Sequence, residues 1–89
     1  MSWDYNFTDK ALKEFRKLDR PAQQRIIKFL DKHCCGEEAN PRTSGKALTG
    51  NLGEFWRYRV GDYRILCEIS DARLLVLIVK TGHRREVYQ

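Results

Sequence analysis

The sequence predicts an α+β domain: an N-terminal strand, an αα-hairpin, then a mostly antiparallel sheet of three to four further strands. Three patterns carry this. Two blocks with apolar residues at helical spacing meet at Asp19-Arg20-Pro21. From Phe55 to Ile69 apolar and polar residues alternate with period two on both sides of Gly61-Asp62. Leu74-Leu75-Val76-Leu77-Ile78-Val79 is apolar throughout.

Trp3, Tyr5 and Phe7 alternate with Asp4 and Asn6, which predicts a short first strand. It is expected to return and pair inside the sheet, at a position the sequence does not fix. Thr8 is a candidate N-cap, because its hydroxyl can accept from a backbone N–H of the first turn. Ala11, Leu12, Phe15 and Leu18 follow on one helical face. Pro21 suits the first turn of a second helix, where its missing N–H costs nothing. That helix carries Ala22, Ile26, Ile27, Phe29, Leu30 and Cys34 and ends near Gly36. The lysines and arginines of both helices (Lys10, Lys13, Arg16, Lys17, Arg25, Lys28, Lys32) form the expected solvated faces, with RNA contact as the alternative. His33 reads as a cation favouring the second helix's C-terminal dipole.

The polar stretch from Glu37 to Gly45, with Asn40-Pro41 and Ser44-Gly45 as turn signals, predicts a loop inside the domain. Lys46 to Leu52 leads into a hairpin with a two-residue Gly61-Asp62 turn. In that register Val60 faces Tyr63, Arg59 faces Arg64 and Arg57 faces Leu66. Trp56, Tyr58, Val60, Tyr63, Ile65 and Cys67 then share the buried face. After a tight turn at Asp71-Ala72, the Leu74–Val79 run predicts a central strand covered on both faces.

Composition sets the bounds. With 89 residues there is room for one domain, 1–89, with one modest core. A net charge of +5 favours an acidic partner, nucleic acid first. Cys34, Cys35 and Cys67 form neither a disulfide framework nor a zinc site, which needs a second pair at ligand spacing. Reduced thiols, with no signal peptide, transmembrane run or lipidation motif, predict a cytoplasmic protein without membrane contact, metal or other cofactor.

Arg57, Arg59 and Arg64 are the chemical focus. Like charges directly opposite across two strands are destabilising, so a chain that keeps them is expected to hold an anion there. Phosphate fits best, because the guanidinium fork matches its oxygens. The alternative is an edge kept charged against aggregation, with Glu68 diagonal to Arg57 neutralising part of it. The end of the chain, Gly82-His83-Arg84-Arg85-Glu86-Val87-Tyr88, adds further candidates.

RNA can be cut without a metal when its own 2′-OH attacks the neighbouring phosphate. That reaction needs a base, an acid and positive charge on the transition state. Arginine meets the last need. His83 has the side chain suited to proton transfer near neutrality. Tyr88 could stack on a base or donate a proton, and Lys46 could donate a proton or bind phosphate. Arg85 is a further phosphate ligand. Against these stand plain readings: His83 as a surface residue and Tyr88 as a residue closing the edge of the core.

The layout, the Lys46–Leu52 element, the run from Trp56-Arg57-Tyr58-Arg59 through Gly61-Asp62-Tyr63-Arg64-Ile65, and the Gly-His-Arg-Arg-Glu-Val-Tyr end resemble the RelE branch of the RelE/ParE toxin superfamily. The helix opening at Asp9-Lys10-Ala11-Leu12 matches as well, so the resemblance spans nearly the whole chain. It implies a toxin of a type II toxin–antitoxin pair that enters the ribosomal A site and cleaves mRNA, leaving 2′,3′-cyclic phosphate and 5′-OH ends. Ribosome, mRNA and a cognate antitoxin (RelB-like or of another family) are the implied partners. Position by position, it implies phosphate stabilisation by Arg64, and basic roles for Arg57 and Arg59 where relatives often carry lysine. It also implies action on the leaving group by Arg84, orientation of the nucleotide by Tyr88 and acid–base chemistry at His83. Lys46 falls where certain relatives have a glutamate base. Arginine in place of lysine at the possible base position raises the weight on His83. The other readings are a ParE-like inhibitor of DNA gyrase and an inactive binding module of the same fold.

Overall fold

The computed structural model describes residues 2–48 and 55–83. Strand β1 (Asp4–Phe7) is followed by helices α1 (Asp9–Arg16) and α2 (Arg20–His33). Strands β2 (Lys46–Ala47), β3 (Trp56–Val60), β4 (Tyr63–Ser70) and β5 (Leu75–His83) complete the domain. They form one five-stranded sheet in the order β1-β5-β4-β3-β2. β1 runs parallel to β5, with Asp4 beside Leu75 and Phe7 beside Ile78, and every other pairing is antiparallel. The first strand does return to pair in the sheet, but as its edge beside the last strand, the position the sequence does not fix.

Local chemistry sets the helix ends. Thr8 Oγ1 accepts from the Ala11 N–H at 3.1 Å and caps α1. Asp19 Oδ1 accepts from the Ala22 N–H at 3.0 Å and caps α2, with Pro21 in the first turn. Between the helices Gln23 has a role that apolar periodicity could not show. Its amide nitrogen lies 2.8 Å from the Leu18 carbonyl and 3.3 Å from those of Phe15 and Arg16, serving carbonyls where α1 ends, of which that of Phe15 also accepts from the Leu18 N–H. Gln23→Ala is expected to cost about 1 kcal/mol, since water can replace part of the loss. For a domain of this size that is a fall of roughly 4–8 °C in the thermal midpoint, read by circular dichroism.

The helices cover one face of the sheet. Ala11, Ile26, Leu30 and Cys34 meet Tyr58, Ile65, Cys67, Val76 and Ile78, all fully buried. The opposite face carries a smaller cluster of Leu48 and Leu66 with Phe55 and Val79. The expectation that Leu74–Val79 is covered on both faces needs correcting. Val76 and Ile78 are buried under the helices, whereas Leu75, Leu77 and Val79 are only half-buried on the other side. An αα-hairpin covers one face only, and the chain has no second pair for the other. The strand also starts one residue late. Leu74 sits in the left-handed region (φ 52°) in the turn after β4, its N–H within 3.4 Å of the Asp71 carbonyl.

One irregularity interrupts the β4–β5 ladder. Tyr63, Arg64, Ile65 and Leu66 pair with His83, Gly82, Thr81 and Lys80, but Cys67 pairs with Ile78. Val79 is the extra residue of a β-bulge. Val79 and Lys80 consequently share the helix-free face, and Thr81 and His83 move to the helix-covered one. Thr81 is 3% exposed there. Its hydroxyl donates to the Ala11 carbonyl at 3.3 Å, and its N–H, beyond the end of β1, donates to Glu14 Oε1 at 3.0 Å.

Candidate functional site

The β3–β4 hairpin has the register expected from the sequence: Val60 faces Tyr63, Arg59 faces Arg64, and Arg57 faces Leu66. Gly61 supplies the positive φ of the turn, 60°. Alternation then puts Arg57, Arg59 and Arg64 on the helix-free face. Lys46 of β2 lies directly across from Arg57 and joins them.

Among the described residues, Ser44, Gly45, Lys46, Arg57 and Arg59 line a shallow cleft of about 240 Å³, with three cationic side chains and no carboxylate. Gly45 makes this possible. At φ 79° its backbone packs so closely that a Cβ would stand 2.7 Å from Trp56 Nε1, 2.8 Å from Tyr58 Cδ1 and closer still to the Arg57 carbonyl oxygen. Trp56 Nε1–H donates to the Ser44 carbonyl at 2.8 Å. The segment before β2 is thus pinned to β3, and Lys46 is held beside Arg57.

Beneath the cleft, on the other side of β3, Tyr58 is fully buried. Its hydroxyl donates to the Pro41 carbonyl at 2.5 Å and accepts from the Cys34 thiol at 3.5 Å. Burial pushes the Tyr58 phenol well above its ordinary range, with the Cys34 contact adding to it. This tyrosine is a structural tie between α2, the 37–45 loop and β3, not a proton donor.

Arg64 is 8% exposed, and its Nη1 lies 3.2 Å from the Tyr63 carbonyl oxygen. Gly82, with no side chain, stands across from it on β5. A guanidinium so enclosed loses little further freedom on gripping an anion.

His83 is placed differently from the expectation that it would join the arginines. Because of the bulge it faces Tyr63, ring centroids 5.9 Å apart, on the helix-covered side. There it opens into a separate cleft of about 590 Å³ whose charged lining is mixed: Glu14, Lys17, Asp19 and Lys80. Of the predicted site residues the structure brings together Lys46, Arg57 and Arg59, sets Arg64 across from Arg59, and puts His83 on the other face. Arg84, Arg85 and Tyr88 lie outside the described residues.

His33 stands in the last turn of α2, the helix-end position expected for it. Its ring packs 4.5 Å from that of Phe29, and burial, helped by the Lys32 charge, lowers its pKa. Among the described residues no group of three or more His, Cys, Asp or Glu could hold a metal ion, and no helix is long and apolar enough to cross a membrane.

Known proteins place this architecture. Residues 5–88 match the family described as the ParE toxin of the type II toxin–antitoxin system, parDE. A RelE-like toxin protein of Escherichia coli is 32% identical over 85 residues, covering 94% of this chain and 85% of that protein. Toxin RelG of Mycobacterium tuberculosis is 28% identical over 89 residues, covering 100% and 99%. The crystal structure of the RelBE2 toxin–antitoxin complex from Mycobacterium tuberculosis superposes with a TM-score of 0.79 at 26% identity, over 94% of this chain and 100% of that one. Isolated Escherichia coli RelE shares the fold, with a TM-score of 0.68 at 20% identity over 91% of this chain and 83% of that one. By its strand order, its hairpin and these relatives, the chain belongs to the RelE/ParE toxins of type II toxin–antitoxin systems and is RelE-like.

Proposed function

We propose that this toxin is a ribosome-dependent endoribonuclease that cuts mRNA in the A site, and that a cognate antitoxin restrains it. The observation that carries the reading is the cleft that gathers the cationic side chains of Lys46, Arg57 and Arg59, with Arg64 opposite Arg59 in the same hairpin. Such a set suits a phosphate on which negative charge grows. As the 2′-oxygen bonds to phosphorus, the equatorial oxygens gain charge, and preplaced guanidinium groups favour that state over the ground state. The P–O5′ bond then breaks, leaving a 2′,3′-cyclic phosphate and a 5′-OH. One proton leaves the 2′-OH and one reaches the departing O5′. Lys46, beside Arg57 at the rim, is the proposed donor to that oxygen. Arg84 and Tyr88 are proposed from the family resemblance to act on the leaving group and to orient the nucleotide, and Arg85 to bind phosphate.

The face separation lowers the weight on His83. His83→Ala is expected to slow cleavage less than tenfold, under about 1.4 kcal/mol of transition-state stabilisation. Lys46→Ala should slow it more. The test uses ribosomes carrying a defined mRNA and an empty A site, with primer extension mapping the ends. A cut inside the A-site codon, absent without ribosomes, supports the reading. An intact message together with inhibited DNA gyrase would replace it by the ParE-type activity that the matched family's name suggests.

A further inference from the structure

The bulge at Val79 turns His83 away from the arginines, and it turns Lys80 toward them. Lys80 pairs with Leu66 and alternates with Thr81, whose hydroxyl is buried against α1, so Lys80 belongs to the helix-free face. A row of facing positions then crosses four strands: Lys46 on β2, Arg57 on β3, Leu66 on β4 and Lys80 on β5. Arg59, Arg64 and Gly82 form the next row. Lys80 is thus diagonal to Arg64, and Gly82 adds no side chain beside them.

The surroundings of Lys80 leave it available to an anion. It is half-buried, yet it forms no salt bridge with any described residue. That holds even though Glu14 and Asp19 line the neighbouring cleft, which Lys80 also borders at the β5 edge. Leu66, 7% exposed and packed with Leu48 and Val79, stands between Lys80 and Arg57. The strands that carry Arg57 and Lys80 are two spacings apart, about 10 Å. A packed apolar side chain across that gap divides the cations into two anion sites. The first is the cleft of Lys46, Arg57 and Arg59, proposed above for the phosphate that is cut. The next anion along a single RNA strand is the phosphate of an adjoining linkage.

We infer that Lys80 holds a phosphate adjoining the one that is cut, so that the message is gripped at two linkages and lies across the sheet from β2 toward β5. This rests on the nuclease reading above and adds to it the course of the substrate over the strands. Lys80 moves no proton. By fixing the neighbouring linkage it positions the reacting one, and the toxin then needs a charged linkage beside the cut.

The experiment follows single-turnover cleavage on programmed ribosomes at sub-saturating toxin, with Lys80→Ala and Lys80→Arg beside wild type on three messages. One message carries ordinary phosphates. In each of the others a single linkage, on the 5′ or the 3′ side of the scissile one, is an uncharged methylphosphonate. The sugar on the 5′ side of each adjoining linkage is 2′-deoxy in all three messages, so these linkages are not cut themselves. On the ordinary message Lys80→Ala should cut about tenfold more slowly, the worth of one charge-assisted contact. Lys80→Arg should stay within about threefold of wild type, because it keeps the charge. On one modified message wild type should slow to a similar degree, and Lys80→Ala should lose less than about twofold more, since both changes remove the same contact. An undiminished loss on both modified messages would overturn the inference, as would a Lys80→Ala rate within about twofold of wild type on the ordinary one. An equal loss in Lys80→Arg, with a lowered thermal midpoint in both variants, would overturn it too and assign Lys80 to the fold. Those outcomes leave the nuclease reading standing. Wild type that leaves every message intact removes that reading and the inference together.

Discussion

Arg64→Ala is expected to slow single-turnover cleavage on programmed ribosomes by about 10²–10³-fold, the usual loss when one preorganised charge donor to an oxyanion is removed. The reason lies in its surroundings. Arg64 is enclosed, anchored near the Tyr63 carbonyl, opposite another arginine and across from a residue without a side chain. Its freedom is already spent in the free protein, so binding a phosphate costs it little. Arg64→Lys should recover only part of the rate, because the ammonium lacks the planar fork. Loss of a buried side chain also affects folding, so each variant needs a thermal midpoint beside its rate. A rate within tenfold of wild type, for a folded Arg64→Ala protein, would remove this arginine from the reaction.

Gly45→Ala should have the largest effect on stability. The added methyl would fall inside contact distance of the Arg57 carbonyl oxygen, the Trp56 indole nitrogen and the Tyr58 ring. All three are backbone or ring atoms held by the sheet and core, so the 44–46 segment has to move. Alanine at φ 79° adds about 1–2 kcal/mol, and crowding against packed atoms adds about 1–3 kcal/mol. The thermal midpoint should fall by about 10 °C or more. The movement also breaks the Trp56-to-Ser44 hydrogen bond and draws Lys46 away from Arg57, so cleavage should fall in the folded fraction as well. An unchanged midpoint would show that this segment is not pinned to β3.

Features set by nearest neighbours are readable in the sequence. Thr8 and Pro21 mark helix starts because capping is a matter of the first turn. The pairing of Arg59 with Arg64 follows from a two-residue loop and a period of two. Gly45 carries a turn signal, but the strand it presses against comes later in the chain. What escapes depends on distant partners. Gln23 gives no apolar signal, yet it serves three carbonyls of the preceding helix end. The half-buried side of Leu75, Leu77 and Val79 cannot be told from a covered one, because an unbroken apolar run has no phase. His83 groups with the arginines on sequence grounds, since nothing in a nine-residue strand announces where it slips by one.

That slip at Val79 has a consequence for comparing this toxin with others of its architecture. A relative of the same length whose strand runs through this point without a bulge would carry its equivalents of Thr81 and His83 on the arginine face, under the same letters in the same order. An alignment drawn without a gap at the bulge would then equate side chains pointing in opposite directions. Assigning roles by matched letters beyond Val79 therefore requires the strand's phase to be checked first, and two toxins with identical C-terminal motifs can present different chemistry to the same substrate.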